Sequence, residues 1–183
     1  MKNNIKFFYE NSYRYKVFPE FKNQSSSLLD SFLIKLRTFS KGNDQVLFLQ
    51  NTFLNNPEHP IGFKENINSV NDGSRYSYVS HPKYHAYFRD FKNTYNFYDV
   101  FMVHKNDTKI IYSVFKETDY ATSLENGPYK DTEFGKIVRR VIEEYELNAF
   151  KEPQIYFTDF ERYSPSYFAP AAFIAAPIFD TDD

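Results

Sequence analysis

The sequence predicts an α+β domain in which an antiparallel sheet is covered on one face by helices and loops. Three observations predict it. Apolar side chains recur at helical spacing through the first 55 residues; from Phe97 the pattern changes to short apolar runs bounded by turn residues; and two further strand-like runs follow a single amphipathic helix near the end. At 183 residues the chain suits one well-buried unit. Aromatic residues make up 20% of it, with 21 Phe and 16 Tyr but no Trp, so a core can form although the mean hydropathy is −0.62.

Taken in order, residues 5–18 favour a helix, and Ser25 to Ser27 are N-cap candidates for a second, carrying Leu28, Leu29, Phe32, Leu33, Leu36 and Phe39 on one face up to Gly42. A third spans Gln45 to Asn55 and stops before Pro57, completing a helical segment over 1–55. Residues 56–80, rich in Asn, Pro, Gly and Ser, read as a long ordered loop. Ser80 then caps a helix whose aromatic face, Tyr84, Tyr87, Phe88, Phe91 and Tyr95, packs the core. FYDVFMV at 97–103 and KIIYSVF at 109–115 form a hairpin about Asn106 and Asp107. A loop leads to a helix opening at Asp131, with Phe134, Ile137, Val138, Val141, Ile142 and Tyr145 on one stripe. Strands at 154–160 and 171–179 close the sheet, joined by the loop ERYSPSYFAP.

Composition excludes several function classes. Twenty-two basic and 24 acidic residues give a net charge of −2, without the basic footprint of a nucleic-acid or anionic-lipid binder. Cysteine is absent, which removes disulfides and thiolate chemistry and selects no compartment. The N-terminus lacks the apolar core of a signal peptide, and the uncharged run from Tyr163 to Phe179 is broken by three prolines. No GxGxxG, GxxxxGK[ST] or GxSxG motif occurs, so neither a phosphate-cradling cofactor site nor a hydrolase elbow is expected, and the chain reads as a non-enzyme without cofactor.

Several residues are candidates for a site. Lys116, Glu117 and Asp119, followed by Tyr120 and Thr122, stand where a loop folds across the sheet; they either fix that loop with a salt bridge or bind a ligand, Lys116 taking a carboxylate and Asp119 an amine. Tyr112, Phe115, Tyr129, Tyr156, Tyr163 and Tyr167 either fill the core or line a small-molecule pocket, with the loop tyrosines 129, 163 and 167 favoured as ligand contacts. Asp99 and Asp159 are expected as carboxylates against a buried sheet, in need of a partner such as Arg89, Lys116 or Arg162, or else paired as acid and base. His81 and His85 share a helix face as zinc ligands do, but HPKYH lacks the Glu of HExxH and no third ligand is in the pattern, which favours a hydrogen-bonding role. His59 and His104 are isolated.

Five blocks in one order carry a resemblance: NPEHPIGFKENI at 56–67, YSYVSHPKYHAYFRDF at 76–91, FYDVFMV at 97–103, IYSVFKETDYATSLENGPY at 111–129 and DFERYSPSYFAPAAFIAAPIFD at 159–180. Over about Leu47 to Asp180 the chain resembles the extracytoplasmic PAS-like sensor domains, of the broad Cache group, of bacterial methyl-accepting chemotaxis proteins, sensor kinases and nucleotide cyclases. The resemblance implies a PAS-like sheet over 56–183, a periplasmic small-molecule sensor, and attachment to the membrane only through flanking helices. It also implies a further strand and a membrane helix beyond FDTDD. The alternative expectation is a shortened relative that has lost its ligand and acts as an interaction or homodimerisation module through its N-terminal helices.

Overall fold

The computed structural model describes residues 44–60, 62–74, 76–148 and 154–178, all within one compact unit, Ser40–Ile178. The helices expected at 5–18 and around 28–39, and with them the expected dimer contact, lie outside the described residues. Helix α1 spans Asp44–Phe53, close to the expected bounds, and sends Leu49 and Phe53 into the core. The segment that follows is irregular, with one 3₁₀ turn at Lys64–Asn66 and a π turn at Tyr76–Ser80. It is ordered by its own polar side chains: the Asp72 carboxylate accepts from Thr52 Oγ1 (3.0 Å), Ser77 Oγ (2.7 Å) and the Ser74 amide (2.8 Å).

Helix α2, His81–Thr94, departs from expectation at both its start and its buried face. Ser80 makes no side-chain cap; its backbone is already helical (φ −76°, ψ −47°), and the π turn runs directly into α2. The buried stripe is His81, His85, Phe88 and Lys92, whereas Tyr87 and Tyr95 are exposed. These four positions recur at the i, i+4, i+7, i+11 spacing of one helix face. Two imidazoles and an ammonium thus occupy ground assigned to aromatic rings. Lys92 is accommodated by an ion pair with Glu65 at 2.6 Å.

Strand β1 (Phe101–Val103) pairs antiparallel with β2 (Ile110–Ser113), giving the expected hairpin in shorter form. It is covered on both faces rather than one. Tyr112 meets Phe88 of α2 at 5.0 Å between ring centroids, while Phe101, one step along the pleat, meets Phe134 at 4.7 Å. Phe134 belongs to α3, Glu133–Asn148, whose buried stripe also holds Ile137, Val138 and Val141. All four β2 residues are buried, which explains why KIIYSVF reads as a continuous apolar run instead of an alternating one.

Past β2 the chain doubles back along that strand's free edge. Ile110 N donates to Thr122 O, Ala121 N to Ile110 O and Leu124 N to Thr108 O, so the loop expected here pairs its backbone with β2 as a third strand would. The C-terminal region is a nested hairpin. Strands β3 (Tyr156–Phe157) and β6 (Ile174–Ala175) pair outside, and β4 (Glu161–Tyr163) and β5 (Ala169–Ala171) pair inside. The segment ERYSPSYFAP, expected as a loop, is therefore strand at both ends about a 3₁₀ turn, and the two-residue β3 and β6 are far shorter than expected. Among the described residues, three separate two-stranded ladders replace the single antiparallel sheet. Mixed helix and antiparallel strand, the coarse class, stands.

Phe53 joins these parts. Its fully buried ring lies 4.9 Å from His81, 5.8 Å from Tyr120 and 6.0 Å from Tyr76. Phe53→Ala is expected to lower the unfolding free energy by about 3–5 kcal/mol in urea titrations, as for other buried Phe truncations.

Candidate functional site

The site is built outward from one carboxylate. Asp99, expected inside a strand, lies just before β1 and turns its carboxylate to the interior, where Oδ1 accepts from the amides of Val114 (2.9 Å) and Phe115 (3.0 Å) and Oδ2 from Ser113 Oγ (2.7 Å). Ser113 Oγ in turn accepts from the Lys116 amide at 2.7 Å. These bonds close a turn after β2 and hold Lys116 in the left-handed region, φ 55°, uncommon for a residue with a Cβ. The left-handed turn carries its side chain inward, leaving Lys116 only 2% exposed. Burial pushes the Asp99 carboxyl up to about 6, against the opposing pull of the Ser113 and backbone bonds.

Lys116 Nζ donates to Val114 O at 3.1 Å and lies 5.5 Å from the centre of the Phe53 ring and 5.8 Å from that of Tyr112. No carboxylate among the described residues comes within 4.0 Å of it, so the expected loop-fixing salt bridge does not form. Arg89 instead caps the Glu65 carbonyl at 3.3 Å. Burial drives the Lys116 ammonium down to about 7, and the charge on Asp99 only partly opposes this. A lysine held against two aromatic rings, with two unused N–H donors and a readily lost proton, has the chemistry to receive an anion in its charged form.

Asp119 is fully buried three residues on. Its Oδ2 accepts from Tyr163 OH at 2.6 Å, and its Oδ1 has no partner. Burial raises its carboxyl to about 7, the Tyr163 bond opposes the rise, and Asp99 and Glu117 add to it. Glu117 accepts from two hydroxyls, Tyr98 (2.8 Å) and Ser166, and burial raises it too. The carboxylates of this loop are thus held by uncharged donors.

The expected site residues divide. Lys116, Asp119, Tyr120 and Tyr163 are all buried but form two groups: Tyr163 bonds to Asp119, while Tyr120 meets the Tyr76 hydroxyl at 3.0 Å and packs on Phe53, the ring beside Lys116. Thr122 is buried but serves the backbone, donating to Asp119 O at 2.7 Å. Tyr129 lies at the rim, where its hydroxyl donates to Thr118 Oγ1 at 2.8 Å. Tyr167 is 67% exposed and outside the cluster. Asp159 and Arg162 are exposed as well, so Asp159 is neither a buried carboxylate nor an acid–base partner of Asp99. His81 and His85 stack at 4.4 Å beside Lys116, and among the described residues no group of three His, Cys, Asp or Glu gathers to hold a metal. Phe53 and Tyr76 were not singled out in the sequence; the long loop holding Tyr76 was the one available signal.

No known family model, no curated protein and no solved structure matches this chain.

An unpaired buried ammonium destabilises the fold that contains it, so Lys116→Met is expected to raise the unfolding free energy by roughly 1–3 kcal/mol near pH 6. With the lysine near 10.5 when unfolded and about 7 when folded, folding releases a proton between these values. The penalty is complete below pH 7 and fades as the pH rises toward 10.5. Urea unfolding of both proteins at pH 6 and 9.5 should show the gap narrowing at the higher pH.

Proposed function

We propose that this chain is the ligand-binding part of a bacterial transmembrane receptor of the PAS-like, Cache type, and that it senses a small organic anion at Lys116. The observation that carries this reading is the Lys116 ammonium, buried against Phe53 and Tyr112 with no carboxylate in ion-pair reach. A position serving packing alone is better filled by Met or Leu. A ligand oxyanion supplies the missing counter-charge, and its binding then stabilises the state in which the lysine is charged.

The loop around this lysine is tied to both ends of the described unit. Gln50 of α1 donates through Nε2 to the carbonyls of Thr118 and Tyr120, each at 2.9 Å. On the other side Tyr163 and Ser166, from β4 and the turn after it, donate to Asp119 and Glu117. A ligand that shifts residues 116–120 therefore moves α1 and the C-terminal hairpin together, which is the displacement a receptor transmits to flanking helices. No helix of the described residues is itself long and apolar enough to cross a membrane, so the membrane segments and the periplasmic address belong to the proposed parent receptor.

A second reading, a protein-interaction module, is favoured by the exposed Phe157, Phe160, Phe168 and Ile178 of the C-terminal region. A thermal-shift screen of small organic acids at pH 7 separates the two. An anion at about 100 times its Kd should raise Tm by roughly 5–10 °C, and Lys116→Met should abolish the shift while keeping the circular dichroism spectrum. A flat screen on folded protein favours the interaction module. The affinity of the anion should also fall as the pH rises above about 7, because binding must then return a proton to Lys116.

A further inference from the structure

Next to Lys116 stands an acceptor that the protein leaves unused. His81 Nδ1 lies 2.8 Å from Asn68 O, and a carbonyl can only accept, so the proton sits on Nδ1 and Nε2 presents a bare lone pair. That Nε2 is buried without a hydrogen-bond partner, in a residue 2% exposed. Its neighbour His85 is complete by contrast: Nε2–H donates to Glu65 O and Nδ1 accepts from Tyr112 OH, both at 2.7 Å. The two histidines stack on one helix face, and only the one nearer the start of α2 is left with an open valence.

His81 and Lys116 border the same two rings. The imidazole lies 4.9 Å from Phe53 and 5.9 Å from Tyr112, against which Lys116 Nζ stands at 5.5 and 5.8 Å. An unused acceptor and a cation with two unused N–H donors thus border the same pair of aromatic rings. A ligand satisfying both carries an oxyanion beside a hydrogen-bond donor. The charge of Lys116 selects the donor. It already disfavours protonation of both histidines, second only to their burial, and a ligand ammonium at Nε2 would set another cation in the same field. A hydroxyl donates without that penalty.

We propose that the site recognises a small hydroxy acid, its carboxylate on Lys116 and its hydroxyl donating to His81 Nε2, which makes His81 the specificity-determining residue. This rests on reading Lys116 as the anion receptor. A buried acceptor left bare by a ligand lacking the hydroxyl loses the bond and keeps the desolvation penalty, so the discrimination is expected to be roughly 10- to 100-fold.

The test is calorimetry on the full chain with matched acids: glycolate against acetate, lactate against propionate, malate against succinate, and lactate against alanine. The expected result is tighter binding of the hydroxy acid in each pair by that factor, with the preference falling to within about threefold in His81→Phe. Because His81→Phe also loses the Asn68 anchor, a readout on the unmutated protein accompanies it. The ¹⁵N resonance of His81 Nε2 should move upfield with the hydroxy acid and stay in place with its deoxy partner. Equal affinities within each pair, or an unmoved Nε2 resonance, would overturn the hydroxyl inference while leaving the anion site standing. Tighter binding of alanine would overturn the charge argument, and binding of no acid at all would remove the anion site together with this inference.

Discussion

The arrangement depends on the Asp99 carboxylate. It accepts from Ser113 Oγ and from the amides of Val114 and Phe115, and through Ser113 it fixes the Lys116 amide. A left-handed lysine at the end of a strand is sustained only where its surroundings over-determine it. Asp99 provides that. It also accounts for the end of β2 at Ser113: the Val114 amide is shared between Val100 O and the Asp99 side chain, and the Phe115 amide bonds to that side chain instead of to a neighbouring strand. The same turn that stops the strand delivers the ammonium to Phe53 and Tyr112, so one set of hydrogen bonds links the β1–β2 hairpin to the proposed anion site.

Around that turn the interior is rich in carboxylates and poor in counter-charge. Asp99, Glu117 and Asp119 are turned inward with Lys116, yet none forms an ion pair with it, and the partners of Glu117 and the Asp119 side chain are hydroxyls of Tyr98, Ser166 and Tyr163. Hydroxyl donors stabilise an ionised carboxylate less than a guanidinium does. Burial therefore dominates, and Asp119 and Lys116 are both pushed toward neutrality from opposite directions. A core satisfied in this way rests near a balance, where an added charge or donor shifts the relative stability of its arrangements. That property suits a sensor better than a scaffold.

How much of this was legible in the sequence follows from range. Elements set by local pattern, α1, α2, the β1–β2 hairpin and α3, were readable because their periodicity is contained within each segment. Lys116 and Asp119 stand out in the sequence as charged residues directly after an apolar strand, and both are buried, but no ion pair joins them. What failed depended on distant partners. The buried stripe of α2 was misassigned because hydrophobicity favours Tyr87 over His81, whereas the fold offers His81 the Asn68 carbonyl and the Phe53 ring. Asp159 was misplaced because its strand stops at Phe157 and leaves it in solvent. The nested C-terminal hairpin was missed because Pro165 and Pro170 read as loop. Pro165 instead makes the 3₁₀ turn, and Pro170 sits in a strand of a two-stranded ladder, where one edge needs no amide donor.

The claim on which the account stands is that Lys116 is held inside the protein without a counter-ion until a ligand supplies one. The direct measurement is the titration of its ε-methylene resonance by ¹³C NMR, assigned through Lys116→Met, without and with a bound organic acid. The account predicts a midpoint near 7 in the free protein and a rise when the anion binds. A midpoint near the ordinary lysine value of 10.5, unmoved by any acid, would contradict it.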